Sequence, residues 1–151
     1  HIAKKLGSSA DVILSGRRLN DNMTSIIFKK IEKQVTLKSR ILQIGISFKE
    51  NVPDIRNSKA AELAKQFITK KYKIDIYDPV VNSLEVNHTF GIKLSKLRGK
   101  YDFIIIAVSH KFLLKDKIDI LKYTKNSTKV FDITGKYKDK FSKNNINYWS
   151  L

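Results

Sequence analysis

The stretch Arg40-Ile41-Leu42-Gln43-Ile44-Gly45-Ile46 decides how this sequence folds. Four aliphatic side chains in seven positions, without the alternation of a one-sided strand, describe a strand buried on both faces. The same pattern recurs downstream. Lys73-Ile74-Asp75-Ile76-Tyr77 is a second strand, stopped by Asp78-Pro79. Tyr101-Asp102-Phe103-Ile104-Ile105-Ile106-Ala107-Val108 is the strongest strand signal in the chain. Thr128-Lys129-Val130-Phe131-Asp132-Ile133 is a fourth, and Ile146-Asn147-Tyr148-Trp149 an edge strand. Helical patterns lie between them. Ser58 caps a helix through Lys71 with Ala61, Leu63, Ala64, Phe67 and Ile68 apolar, a short helix is expected near Ser95-Lys96-Leu97, and another from Phe112 to Leu121.

Upstream of Arg40 the period changes to that of a helix. Val12, Ile13, Leu19, Met23, Ile26, Ile27 and Ile31 recur at three- and four-residue steps, Ser8 or Ser9 can cap, and Asp11 sits in the first turn. A helix from about Ala10 to about Val35 is about 37 Å long, more than a small domain needs, so part of it is expected to pack on something outside this chain. The predicted fold class is α/β: a Rossmann-like, three-layer open parallel sheet with helices on both faces, preceded by a long N-terminal helix. The division is 1–38 for the helix and 39–151 for the sheet domain.

With 151 residues, 42% hydrophobic and 29% charged, the composition is that of a globular domain. The chain has no cysteine, which excludes a disulfide scaffold, a cysteine-ligated metal and a cysteine nucleophile within it. No apolar run approaches the ~20 residues of a bilayer span, and His1-Ile2-Ala3-Lys4-Lys5 does not read as a signal peptide. The net charge is +16, and it is spread: nine basic and three acidic residues in 1–40, eleven and seven in 41–110, ten and four in 111–145. Such a balance suggests an anionic partner. Arginine occurs only at 17, 18, 40, 56 and 98, fewer than a nucleic-acid surface usually carries. Nucleic acid is therefore not the expected partner, and a bias of the whole composition toward lysine explains the excess more simply.

In open α/β sheets ligands bind beyond the carboxyl ends of the strands. The first such loop, Gly45 to Ser58, is long for a βα connection. It carries Phe48, an aromatic face for a sugar or base; Lys49, a point charge for a phosphate; and Arg56, a planar fork for a carboxylate or phosphate that Asp54 can hold. The alternative is that these are solvated loop residues, and the residues alone leave the two readings even. The loop does not match G-x-G-x-x-G, because only Gly45 is present, so an ordinary dinucleotide cradle is not expected. His1, His88 and His110 have no metal-ligand spacing, so no metal site is expected. Ser109 and His110, adjacent in sequence, do not form a nucleophilic dyad; His110 and Lys111 either line the crevice or begin a helix.

Four stretches carry a resemblance to a known family: Ile13 to Met23, reading ILSGRRLNDNM; Gly45 to Ser58, reading GISFKENVPDIRNS; Ile74 to Val81, reading IDIYDPVV; and Asp102 to Lys111, reading DFIIIAVSHK. Together they resemble the C-terminal part of the UDP-glucose/GDP-mannose dehydrogenase family. Pro53-Asp54 in place of two acids favours the branch that oxidises UDP-N-acetylhexosamines for capsule, Vi-type and O-antigen polysaccharides. The resemblance implies a cytoplasmic enzyme that takes a primary alcohol to a carboxylate with two NAD molecules, through a cysteine thioester, and dimerises through the long helix. The cysteine and the NAD domain lie upstream in that family, so the resemblance implies a piece with no catalytic residue of its own that binds the UDP-sugar in part. It also implies roles: Phe48 and Lys49 for substrate, Arg17 weakly for substrate near the dimer interface, and Arg56 facing the NAD cofactor. Asp54, Asp78 and Pro79 are expected to be structural.

Overall fold

The computed structural model describes residues 22–114 and 118–151. Helix α1 occupies 22–32 of the described chain; the expected start of that helix, and Arg17 with it, lie outside the described residues. The chain then turns into β1 (Arg40–Ile44), α2 (Lys59–Thr69), β2 (Lys73–Tyr77), α3 (Ser83–Phe90), β3 (Tyr101–Ile106), α4 (Lys111–Leu114), a 3-10 turn (Ile120–Tyr123), β4 (Thr124–Asp132), α5 (Lys138–Ser142) and β5 (Asn147–Ser150). The five strands form one parallel sheet in the order β2-β1-β3-β4-β5. The α/β class with an open parallel sheet is as the hydrophobic runs predict.

Both faces are buried, which is why the strands are continuously apolar. On one face Ile41, Phe103, Ile105 and Phe131 pack beneath Ile27, Phe28 and Ile31 of α1 and Leu63 and Phe67 of α2. On the other, Leu42, Ile44, Ile104, Ile106 and Val130 pack beneath Leu113, Ile120 and Phe141. Phe67 is fully buried and has Phe28 at 4.7 Å and Tyr72 at 5.5 Å between ring centroids. It joins α1 and α2 to the sheet.

Polar groups fix the two ends. At the amino end the Asp102 carboxylate accepts the Arg40 amide at 2.8 Å and pairs with Lys125; the Lys125 ammonium, then the Arg40 amide, hold its carboxyl below the usual carboxylate range. At the carboxyl end Ser58 is the N-cap of α2, as its sequence position predicts: its hydroxyl oxygen accepts from the Ala61 amide at 3.1 Å while the hydroxyl donates to the Ile46 carbonyl at 2.7 Å. One side chain thus fastens α2 to the loop leaving β1.

Two expected elements differ. The helix near Ser95-Lys96-Leu97 is not formed; α3 lies earlier, capped by Asn82 and ended by Gly91 in the left-handed conformation. The later segment instead lies along the sheet edge, with the Ser95 amide donating to the Ile76 carbonyl at 2.7 Å. An edge strand needs its carbonyls met, and that requirement outweighs a weak helical pattern. The expected helix from Phe112 to Leu121 is, among the described residues, a single turn and a separate 3-10 turn started by Asp119.

Phe67→Ala should cost about 3–5 kcal/mol, read from the urea midpoint, because it leaves a cavity between two helices and the sheet; a loss below about 1 kcal/mol would show that the helices hold without it. Gly45 has φ +90°, and a Cβ there would fall 2.5 Å from the Val108 Cβ and 2.7 Å from its amide nitrogen. Gly45→Ala should therefore destabilise by about 1–3 kcal/mol in the same measurement, through strain and overpacking between the ends of β1 and β3.

Candidate functional site

The strand order reverses between β1 and β3: β2 lies to one side of β1, and β3, β4 and β5 follow on the other. The crevice for a ligand is expected above their carboxyl ends. Gly45 lets the ends of the two strands approach until only a hydrogen fits between them. The β1 chain then rises into the loop 45–58, and the β3 chain continues through Ala107, Val108 and Ser109.

The floor of this loop is a buried carboxylate. Asp78, just past β2, has no side-chain exposure. Its Oδ2 accepts the amides of Ile46 at 2.8 Å and Ser47 at 3.2 Å, and His110 Nε2 lies 3.1 Å away. Its Oδ1 accepts the Val80 amide at 2.9 Å. Burial alone would raise this carboxyl, but the hydrogen bonds from His110 and from the amides of Ile46 and Val80 outweigh it and hold it below the usual carboxylate range.

His110 is equally buried and stacks on Phe112 at 5.4 Å. Its Nδ1 accepts the Asn51 amide at 2.9 Å. A ring nitrogen that accepts carries no proton, so the ring is the neutral tautomer with hydrogen on Nε2, which donates to Asp78. The Asn51 side-chain oxygen accepts the Lys111 amide at 2.7 Å, and Asn51 itself has φ +61°. The loop is thus tied down at residues 46–47 by Asp78 and at 51 by His110 and Lys111. Between the ties lie Phe48 and Lys49, with the Lys49 carbonyl accepting from the Ser47 hydroxyl at 3.0 Å and the Phe48 amide donating to the Asp54 carbonyl at 2.7 Å.

Phe48, Lys49 and Glu50 line an open cleft of about 460 Å³ together with Ala107, Val108, Ser109 and Thr134. Phe48 is 55% exposed. Glu50 pairs with Lys136 from the loop after β4, which neutralises the one acidic side chain among these lining residues. Behind the cleft the Ser109 hydroxyl shares a hydrogen bond with the Tyr137 hydroxyl at 2.9 Å. Asp132, buried at the end of β4, accepts from the Thr134 hydroxyl at 2.7 Å, the Tyr137 amide at 2.9 Å and the Tyr148 hydroxyl at 2.9 Å; burial, then Asp132, pushes the Tyr148 phenol up to about 12. The cleft offers an aromatic surface and an ammonium on a framework of satisfied buried acids, an arrangement suited to binding a polar phosphorylated ligand.

The residues singled out in the sequence divide accordingly. Phe48 and Lys49 come together at this cleft. Arg56 does not line it: its guanidinium grips Asp54 with two bonds, at 3.0 and 2.8 Å, on the outer side of the loop. That pairing holds the Asp54 carboxyl down at about 2, and Asp54 is structural, as is Asp78. Arg17 lies outside the described residues. His110 and Asn51 are the residues that sequence reading undervalued; the signal available was a histidine directly after the most apolar strand. Among the described residues no group of three acids, histidines or cysteines could hold a metal, and none of the helices is long and apolar enough to cross a membrane.

Comparison with known proteins bears on the family and the fold. Residues 42–139 match the family model for the UDP binding domain of the UDP-glucose/GDP-mannose dehydrogenase family. The UDP-N-acetyl-D-glucosamine 6-dehydrogenase of Salmonella typhi is 35% identical over 142 residues, 88% of this chain and 33% of that protein. Protein CapL of Staphylococcus aureus is 32% identical over 143 residues, 89% of this chain and 34% of that protein. The chain thus spans about a third of the length of the curated relatives it matches. Among solved structures, a UDP-N-acetyl-mannosamine dehydrogenase from Staphylococcus aureus superposes with a TM-score of 0.70 at 20% identity, covering 94% of this chain and 33% of that one. The GDP-mannose dehydrogenase of Pseudomonas aeruginosa gives 0.69 at 22%, covering 88% and 33%. At these identities the solved structures speak for the fold. The family match over most of the sheet and the 35% identity to a relative along 88% of the chain together establish that this chain belongs to the UDP-glucose/GDP-mannose dehydrogenase family and carries its UDP binding domain.

Proposed function

We propose that the chain is the nucleotide-sugar-binding part of an NAD-dependent 6-dehydrogenase, one that oxidises the primary alcohol of a UDP-N-acetylhexosamine to a carboxylate for surface polysaccharide synthesis in the cytoplasm. The observation that carries this reading is the cleft at the β1/β3 reversal, lined by Phe48 and Lys49, in a chain of this family. The 35% identical relative named above, which acts on a UDP-N-acetylated sugar, supports the substrate class.

In this reading Lys49 meets the pyrophosphate, and Phe48 offers its face to the uridine or sugar ring. The diphosphate brings negative charge into the cleft, and the Glu50–Lys136 pairing keeps the carboxylate from opposing it. This chain's residues bind and orient; they supply no thiol, since it contains no cysteine. NAD, when bound, accepts the hydrides. The described residues do not build a cradle for it: the β1 loop has one glycine, and the Arg56 fork is taken by Asp54. NAD and the thiol are accordingly assigned to the remainder of a longer enzyme, with Arg56 at the surface nearest that cofactor. Residues 1–38 are assigned to a dimerisation helix, with Arg17 close to the interface and the ligand.

Calorimetric titration with UDP tests this. The chain should bind UDP, and Lys49→Ala should weaken it about tenfold, the effect of losing one partly solvated charge-assisted contact. Folded protein that ignores UDP, or Lys49→Ala binding as tightly as the parent, would leave a dimer-forming scaffold. Retention on long polyanions with a steep salt dependence and no preference for UDP would favour a nucleic-acid module instead.

A further inference from the structure

We propose that His110 is a positioning residue for ligand binding: its imidazole, accepting at one nitrogen and donating at the other, holds the Phe48–Lys49 segment at the cleft. The proposal rests on the reading of the cleft given above.

The geometry leaves the ring little choice. Its two nitrogens face opposite demands. The Asn51 amide needs an acceptor at Nδ1, and the Asp78 carboxylate, already accepting two amides on the same oxygen, needs a donor at Nε2. Only the tautomer with hydrogen on Nε2 meets both. The groups that face the ring are Ser47, at 3.3 Å from Nε2, and the Asn51 amide from the β1 loop, Asp78 after β2, and the Phe112 ring of α4. Asp78 is the charged one among them. A second proton, on Nδ1, would point at the Asn51 N–H and break that tie.

The tie matters because Asn51 has left-handed backbone, φ +61°, a conformation that asparagine tolerates better than most side chains and that the bond to His110 fixes at this point of the loop. Its amide on His110 and its side chain on the Lys111 amide are the recorded bonds that do so. Release of the first loosens the segment between residue 47 and residue 51, leaving it to the Phe48 amide on the Asp54 carbonyl, the Ser47 hydroxyl on the Lys49 carbonyl and the Asn51 side chain on Lys111. Phe48 and Lys49 are then no longer presented together, and a ligand must order them at the expense of its own binding.

His110→Gln and His110→Ala separate positioning from bulk structure. Glutamine offers an acceptor and a donor on one planar group; alanine offers neither. The ligand is UDP-N-acetylglucosamine, a diester of pyrophosphate, titrated at neutral pH. His110→Gln should bind within about threefold of the parent, and His110→Ala should be about five- to tenfold weaker, the worth of one or two hydrogen bonds. Folded His110→Ala within twofold of the parent, or folded His110→Gln weakened as much as His110→Ala, overturns the proposal.

Two readouts need no ligand. Ring ¹⁵N shifts should report the Nε2–H tautomer, and the Asn51 amide should exchange slowly in the parent and in His110→Gln but fast in His110→Ala. A ring protonated on Nδ1, or an Asn51 amide indifferent to position 110, refutes the tie itself. A parent chain with the expected tautomer and exchange that binds no nucleotide sugar refutes instead the reading of the cleft.

Discussion

Asp78 has no contact with water, so its charge must be met by protein donors or not exist at all. Three backbone amides and one imidazole meet it. Each donor comes from a different requirement of the fold: the Ile46 and Ser47 amides from the chain leaving β1, the Val80 amide from the turn after β2, and the imidazole from the chain leaving β3. A single carboxylate therefore registers the carboxyl ends of three adjacent strands against one another. Replacing any donor would leave a buried, underbonded charge, which costs far more than one hydrogen bond returns. The Phe48–Lys49 segment takes its position from that arithmetic together with its own bonds to Ser47 and Asp54.

Asp132 repeats the device one strand further on, gathering Thr134, Tyr137 and Tyr148 at the end of β4. Asp102 does the reverse at the amino end, where Arg40 and Lys125 answer it. An open parallel sheet covered on both faces leaves its strand ends and its two edge strands as the places where backbone polar groups lack ladder partners. Buried or half-buried acids supply acceptors there, and they do so at both ends. Among the described residues the acids engaged in the frame are already answered and none of the lysines is buried, so the excess positive charge there is a matter of the surface.

The sheet was legible because burial on both faces writes itself into the sequence as unbroken aliphatic runs; β2 coincides with its expected span, and β1, β3 and β5 differ by a residue or two at their ends. Ser58 was legible because capping is a local chemistry of one hydroxyl and one helix start. β4 begins four residues earlier than its apolar run, at Thr124, because the Thr128 hydroxyl and the Tyr101 carbonyl carry the pairing through a bulge whose residues are polar. The segment 91–97 was misread for a related reason: its conformation answers an exposed sheet edge, which no local pattern encodes. In the site, the aromatic and lysine of the β1 loop stood out by type. The pairing of Asn51 with His110 spans 59 residues of sequence and depends on a tautomer, so only the folded geometry brings it out.

The cleft itself is built on one side. Its floor is rigid, satisfied and buried, whereas Phe48 above it keeps 55% of its surface in water. An exposed aromatic beside an ammonium gains little from a ligand that it touches on one face alone, because stacking and charge pairing are both weak while solvent competes. They strengthen when a second surface closes over the ligand and removes that solvent. Under the proposed function such a surface comes with the thiol and the cofactor, neither of which these 151 residues provide. In that reading the side that fixes the ligand is held by buried carboxylates, so the Phe48–Lys49 loop has only to stay in place while the closing surface is supplied from outside it.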